Sequence, residues 1–185
     1  MTPDAPELTP CRTGRPQVHP QLFPCSKHSC ATLGDVSSLA RAVEIATRAH
    51  EGRVDAAGRP AVEHSFAVAA LVRTVEQKTV AMLHEVVERG DHTVAELREE
   101  GFDARVLAAL EALRPREGER LEYTVARILH GSAGCALEVK RADIAHEASR
   151  LHEFDEVTRR RLEPQLERTA RLLGTTLDAL VARVG

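Results

Sequence analysis

From Val36 onward the apolar residues Leu39, Val43, Ala46 and Ala49 return every three or four positions, the spacing that lines one face of an α-helix. Asp35 is placed to cap the start of that helix and Gly52 to end it. After a Gly- and Pro-containing loop at 53–60, the pattern predicts a second helix over 61–74 and a third over 77–88. Thr93 followed by Glu96 spells a capping box for a short helix that stops at Gly101. Val106, Leu107, Leu110 and Leu113 mark the next helix, which ends before Pro115. Further helices are expected over 121–129, 135–151, 156–173 and 176–184, and Pro164 predicts a kink or break in the penultimate one. No segment alternates like a strand and no repeat is present, so the expectation is an all-α bundle forming one domain over 35–185.

Residues 1–34 hold six of the nine prolines and no periodic apolar face, which predicts a disordered, dispensable extension. Cys11, Cys25 and Cys30, with His19 and His28, fall there at spacings that match no zinc-binding pattern. The fourth cysteine, Cys135, falls in an expected helix, so no disulfide framework is predicted.

Composition sharpens the picture in two ways. The chain is 43% apolar but only 3% aromatic and lacks Trp, so its core must be built from Leu, Val, Ile and Ala, a mixture suited to packed helices. A net charge of -3 with interspersed signs offers no positive field for a phosphate backbone, which excludes nucleic acid as the main partner. No apolar run approaches the roughly 18 residues needed to span a bilayer, and the start of the chain lacks a signal-peptide pattern. A cytoplasmic, soluble protein with no membrane partner is expected.

Three separated segments carry metal-type ligands: "PAVEHSFAVA" with His64, "AMLHEVVERGDHT" with His84, Glu85 and Glu88, and "LEVKRADIAHEAS" with Asp143. Imidazole with carboxylate suits Mn, Fe, Zn or Co and leaves coordination positions for water and substrate. Successive helical residues point about 100° apart, so His84 and Glu85 reach one ion only if it sits between their directions. Glu88 stands one turn further along the same face, beside the ion. Taken singly, each residue has a plainer reading: a histidine on an apolar helix is commonly a hydrogen-bonded core residue, and a Glu-Val-Val-Glu run a solvated face. Lys140 and Arg141 flank Asp143 and either meet phosphates or lie solvated on the helix surface. His50 closes the first helix, Arg159, Arg160 and Arg161 read as an exposed face, and His92, His130, His146 and His152 match no ligand position.

In this order the segments resemble the HD superfamily of metal-dependent phosphohydrolases, specifically the hydrolase domain of RelA/SpoT proteins and the small stand-alone alarmone hydrolases. The resemblance spans about residues 38–172. It rests on "AHEGR" at 49–53, similar to AHxGQ; "GRPAVEHSFAVA" at 58–69, similar to GxPYIxHPxxVA; "LHEVVER" at 83–89, similar to LHDxVED; and "VKRADIAHE" at 139–147, similar to VKLADxxxN. It implies a compact HD-type helical domain, with His64, His84, Glu85 and Asp143 as metal ligands and Glu88 positioning or activating the attacking water. The implied ion is a divalent metal, manganese above all. The implied reaction removes pyrophosphate from the ribose 3' position of guanosine tetra- or pentaphosphate.

The chain departs from those motifs at informative places. Glu85 replaces the Asp of the His-Asp pair, lengthening a ligand by one methylene. Arg89 takes the place of the second carboxylate of the Glu-Asp pair, so the catalytic couple becomes Glu88 with a cation able to contact phosphate. Glu147 replaces an Asn, and Val54, Asp55, Ala56 and Ala61 stand where the family has basic and aromatic nucleotide contacts; Arg53 and Lys140 remain, with Glu147, as candidate substrate-binding residues. Two functions are therefore expected in competition. One is a metal-dependent phosphohydrolase whose substrate has diverged to another nucleotide or small phosphoester. The other is a degenerate HD domain that binds a ligand or regulates a partner without turnover. Nothing resembles a synthetase half, so no alarmone synthesis is expected.

Overall fold

The computed structural model describes residues 33–131 and 134–184, with side chains from residue 38. The described chain is all-α: α1 (Leu33–Ala49), α2 (Val62–Leu71), α3 (Val75–Glu88), α4 (Val94–Glu99), α5 (Ala104–Leu113), α6 (Leu121–His130), α7 (Cys135–Ser149), α8 (Glu156–Leu172) and α9 (Leu177–Val181), with a 3-10 turn at Leu151–Glu153. Among the described residues there is no strand, only an antiparallel bridge between Val54 and Pro60 that closes a loop. No helix there is long and apolar enough to cross a membrane.

α3 is the axis of the bundle, packed by α1, α2, α5 and α7. Its Val80, Ala81, Met82, Leu83, His84, Val86 and Val87 are all buried, so it is apolar on most sides, as a central helix must be. Ile45, Val68, Leu110, Val139 and Ile144 close around it from its neighbours. Truncating one of the larger of these to Ala costs about 2–5 kcal/mol, the lost burial plus the cavity left behind.

Local chemistry sets the helix ends. The expected capping box at Thr93 is present, with Glu96 N–H donating to Thr93 Oγ1 at 3.2 Å and Thr93 N–H donating to Glu96 Oε2 at 2.7 Å. A second box at Thr74 and Gln77 starts α3 at Val75, two residues before the expected start, and takes Thr74 away from the end of α2. α1 begins at Leu33, which places Asp35 inside the helix instead of at its cap and moves residues 33 and 34 out of the expected extension. The rest of that extension, with Cys11, Cys25 and Cys30, lies outside the described residues.

α8 overturns the expected break at Pro164, running through it from Glu156 to Leu172. Pro164 and Arg160 are both exposed, so water can reach the turn in which Pro164 leaves one carbonyl without its helical N–H partner. Leu166, Thr169 and Ala170 bury the following turns and hold the helix in place.

The 53–60 loop is tied to the end of α7. Asp55 Oδ1 accepts from the N–H groups of Ala57 and Arg59, both at 2.9 Å, and Asp55 Oδ2 accepts from Arg150 at 2.8 Å. Arg59 donates to Glu153 at 2.7 Å. This latch makes the loop one wall of a cleft above α2, α3 and α7.

Candidate metal centre

His64 on α2, His84 on α3 and Asp143 on α7 project into one spot where the three helices meet, and one ligand atom from each lies within 4.8 Å of the others. His64 Nε2 is 3.4 Å from His84 Nε2 and 3.1 Å from Asp143 Oδ1, and His84 Nε2 is 3.9 Å from the same oxygen. A point equidistant from three atoms so spaced lies roughly 2.0 Å from each, within the range of metal–nitrogen and metal–oxygen bonds. Three donor atoms so spaced can share one divalent ion.

The second atom of each ligand is held by a partner. His84 Nδ1–H donates to the Ala81 carbonyl at 2.7 Å, which leaves the Nε2 lone pair facing inward. Lys140 Nζ donates to Asp143 Oδ2 at 2.7 Å and turns Oδ1 toward the two imidazoles. His64 Nδ1 lies 3.0 Å from His146 Nδ1. Burial alone would raise the Asp143 carboxyl, but Lys140 and His64 outweigh it and hold the group well below the ordinary carboxylate range. Burial likewise opposes the charge on Lys140, and Asp143 with Glu88 more than restores it.

The other expected site residues occupy distinct places. Glu85 stands outside the group of three: one carboxylate oxygen accepts from Arg89 at 3.0 Å, and the other lies 3.8 Å from buried His50 Nε2 with no hydrogen-bond partner. Its carboxyl titrates low even though burial opposes this, because His64, His84 and Arg89 favour the anion. His50 is fully enclosed, with both ring nitrogens unpartnered, and burial lowers its pKa so that it stays neutral. Glu88 is exposed and reaches the centre only through its field on Lys140. Arg53 forks onto Asp91 at 2.7 and 2.8 Å, away from the three ligands. Lys140 is committed to Asp143. His152 is exposed and bonded to the Ser149 carbonyl, apart from the centre.

Residues that sequence reasoning passed over also arrive. His146 follows Asp143 by three positions, which puts the two on one face of α7, and that offset was the only available signal. Burial, then the charge of His64, pushes its imidazole down to about 4, so it is neutral. Arg161 lines the same cleft with no hydrogen-bond partner among the described residues, although its run of arginines reads as a plain exposed face.

His64, with Glu85 and His146, also lines a cleft of about 320 Å³. Glu85, Arg89, Glu147 and Arg161 supply charge, whereas Val54, Ala61, Phe154 and Leu162 form an apolar wall. Glu147 follows Asp143 by one turn; burial and the Asp143 charge push its carboxyl up to about 7. Through His64 the cleft adjoins the three candidate ligands, and it carries basic groups and an apolar side, a combination suited to an anionic ligand with an apolar or planar body. A scan against protein-family models finds no match for the chain, and a comparison with curated proteins finds none either.

Proposed function

We propose that the protein is a cytoplasmic, metal-dependent phosphohydrolase of the HD type, acting on a nucleotide or other small phosphoester. The observation that carries this is the convergence of His64 Nε2, His84 Nε2 and Asp143 Oδ1 at metal-bonding separation, beside a cleft that His64 lines. A bound divalent ion, manganese in the resembled family, would lower the pKa of a coordinated water and neutralise charge on a phosphoryl oxygen. His64, His84 and Asp143 would hold it. Arg89 and Arg161 supply basic groups at the cleft mouth where further phosphate oxygens would lie. Glu85 lines the cleft one residue from His84 and is ionised, so it can orient a water beside the three ligands. Val54, Phe154 and Leu162 would pack the remainder of the substrate.

The competing reading is ligand binding without turnover, and the engagement of Glu85 by Arg89 favours it, since that carboxylate stands apart from the other three expected ligands. One experiment separates the two. Protein stripped of metal and reloaded with Mn, Co, Ni or Zn is offered a panel of phosphoesters that includes guanosine 3',5'-bis(diphosphate), with Asp143→Asn as control. Release of phosphate or pyrophosphate by the loaded protein but not the control supports the enzyme. A phosphoester that raises the melting temperature of the loaded protein and is recovered intact supports the binding module. No response to any metal overturns both.

A further inference from the structure

We propose that His146 is a positioning residue for the metal centre: its Nδ1 accepts a hydrogen bond from His64 Nδ1–H and so keeps His64 Nε2 free of a proton to ligate an ion. The inference rests on the metal-centre reading above and extends it to a residue outside the expected ligand set.

A neutral imidazole carries one proton on two nitrogens, and a metal ligand must present the bare one. For His84 the choice is settled, because the Ala81 carbonyl can only accept. His64 has no such carbonyl. Its Nδ1 meets His146 Nδ1 at 3.0 Å, with the two rings 5.0 Å apart between centroids and tilted by 54°. With both rings neutral, two arrangements satisfy that contact. In one, His146 donates to His64, and His64 Nε2–H donates to Asp143 Oδ1 at 3.1 Å. In the other, His64 donates to His146, and its Nε2 lone pair joins those of His84 and Asp143. Only the second leaves three lone pairs facing one point. An imidazole partner permits both, so His64 can bond to Asp143 without an ion and turn its lone pair inward when one arrives. The proton of His146 then resides on Nε2, making this cleft-lining side chain a hydrogen-bond donor toward bound ligand.

The test is metal affinity. Cobalt and zinc binding are measured by titration on the full chain and on His146→Ala, His146→Leu and His146→Asn, each first checked for its metal-free melting temperature. Ala and Leu remove the acceptor and should weaken binding by about 10–100-fold, the usual effect of deleting the partner of a ligating histidine. Asn keeps an acceptor oxygen near the Nδ1 position and should stay within about threefold of wild type, a rescue that a mere packing role does not produce. Unchanged affinity in both Ala and Leu variants overturns the inference while leaving the metal centre standing. Failure of the wild type itself to bind cobalt or zinc overturns the metal centre and this inference together. Where the variants do not fold, the zinc-loaded, 15N-labelled wild type decides: a nitrogen–nitrogen coupling across the bond from His64 Nδ1 to His146 Nδ1 supports the assignment, and its absence overturns it.

Discussion

The three buried candidate ligands, here the floor, and the exposed arginines of the surface, here the rim, are built on opposite principles. The side chains of His64, His84 and Asp143 are 3–13% exposed, whereas those of Arg53, Arg59 and Arg89 are 43–50% exposed. Burying two imidazoles and a carboxylate in a Val- and Leu-rich core is costly unless each polar atom is engaged, and here nearly every one is. The exposed pairs of the rim, such as Arg53 with Asp91, contribute only about 0–1 kcal/mol. A floor residue therefore cannot change without a large penalty, while a rim residue can. The match to the HD motifs follows that line only in part: His64, His84 and Asp143 conform and the exposed Ala56 and Arg89 do not, but the buried Ala61 and half-buried Glu147 depart as well. Glu85, 19% exposed, and half-buried Glu147 sit between the two regions.

The sharpest way to break this comparison is to load the floor with metal. Ligands drawn from three helices form a site only in the folded chain, so bound ion stabilises folding by about 2.7 kcal/mol at 100 times its dissociation constant. For a domain of this size that is a rise in melting temperature of roughly 5–11 °C. His84→Ala or Asp143→Ala should remove most of the rise, and His152→Ala should preserve it. Calorimetry with Mn, Co, Ni and Zn on chelator-stripped protein checks this, and a flat response across all four ions would sink the metal-centre assignment.

The boundary is probed next. If the departures at the rim and at Glu85 are what separate this chain from the resembled hydrolases, the triple variant Glu85→Asp, Arg89→Asp, Glu147→Asn should raise manganese-dependent pyrophosphate release from guanosine 3',5'-bis(diphosphate). An increase of about tenfold, equivalent to about 1.4 kcal/mol in the barrier, is expected. A variant that binds manganese and stays inert would move the barrier to the wall formed by Asp55 and Ala56, where the latch to Arg150 occupies the place of basic nucleotide contacts.

The smallest effect belongs to the rim alone. Arg53→Ala breaks an exposed pair and should change unfolding free energy by less than about 0.5 kcal/mol with unchanged cobalt affinity. Denaturant melts and metal titration together decide it; a tenfold loss of affinity would show that the rim supports the floor after all.

The number and approximate extent of the helices were legible because their causes are local. A three-to-four-residue apolar period, the Thr93–Glu96 box and the glycine at position 52, which adopts φ +72, act within a turn or two of the chain. The misplacements are also local and instructive. The Thr74–Gln77 box uses the same chemistry as the one at Thr93, and α8 runs through an exposed Pro164, held by the burial of Leu166, Thr169 and Ala170.

By itself the sequence determined that this is an all-α chain with His64, His84 and Asp143 on three separate helices, since periodicity and capping operate over neighbouring residues. Only the tertiary structure decided what meets what. The crossing of α2, α3 and α7 brings His64, His84 and Asp143 together, leaves Glu85 outside that group, and sets His146 against His64. Those outcomes depend on helix crossing angles and rotamers fixed by close packing across as many as 82 positions of chain, and no local pattern encodes them.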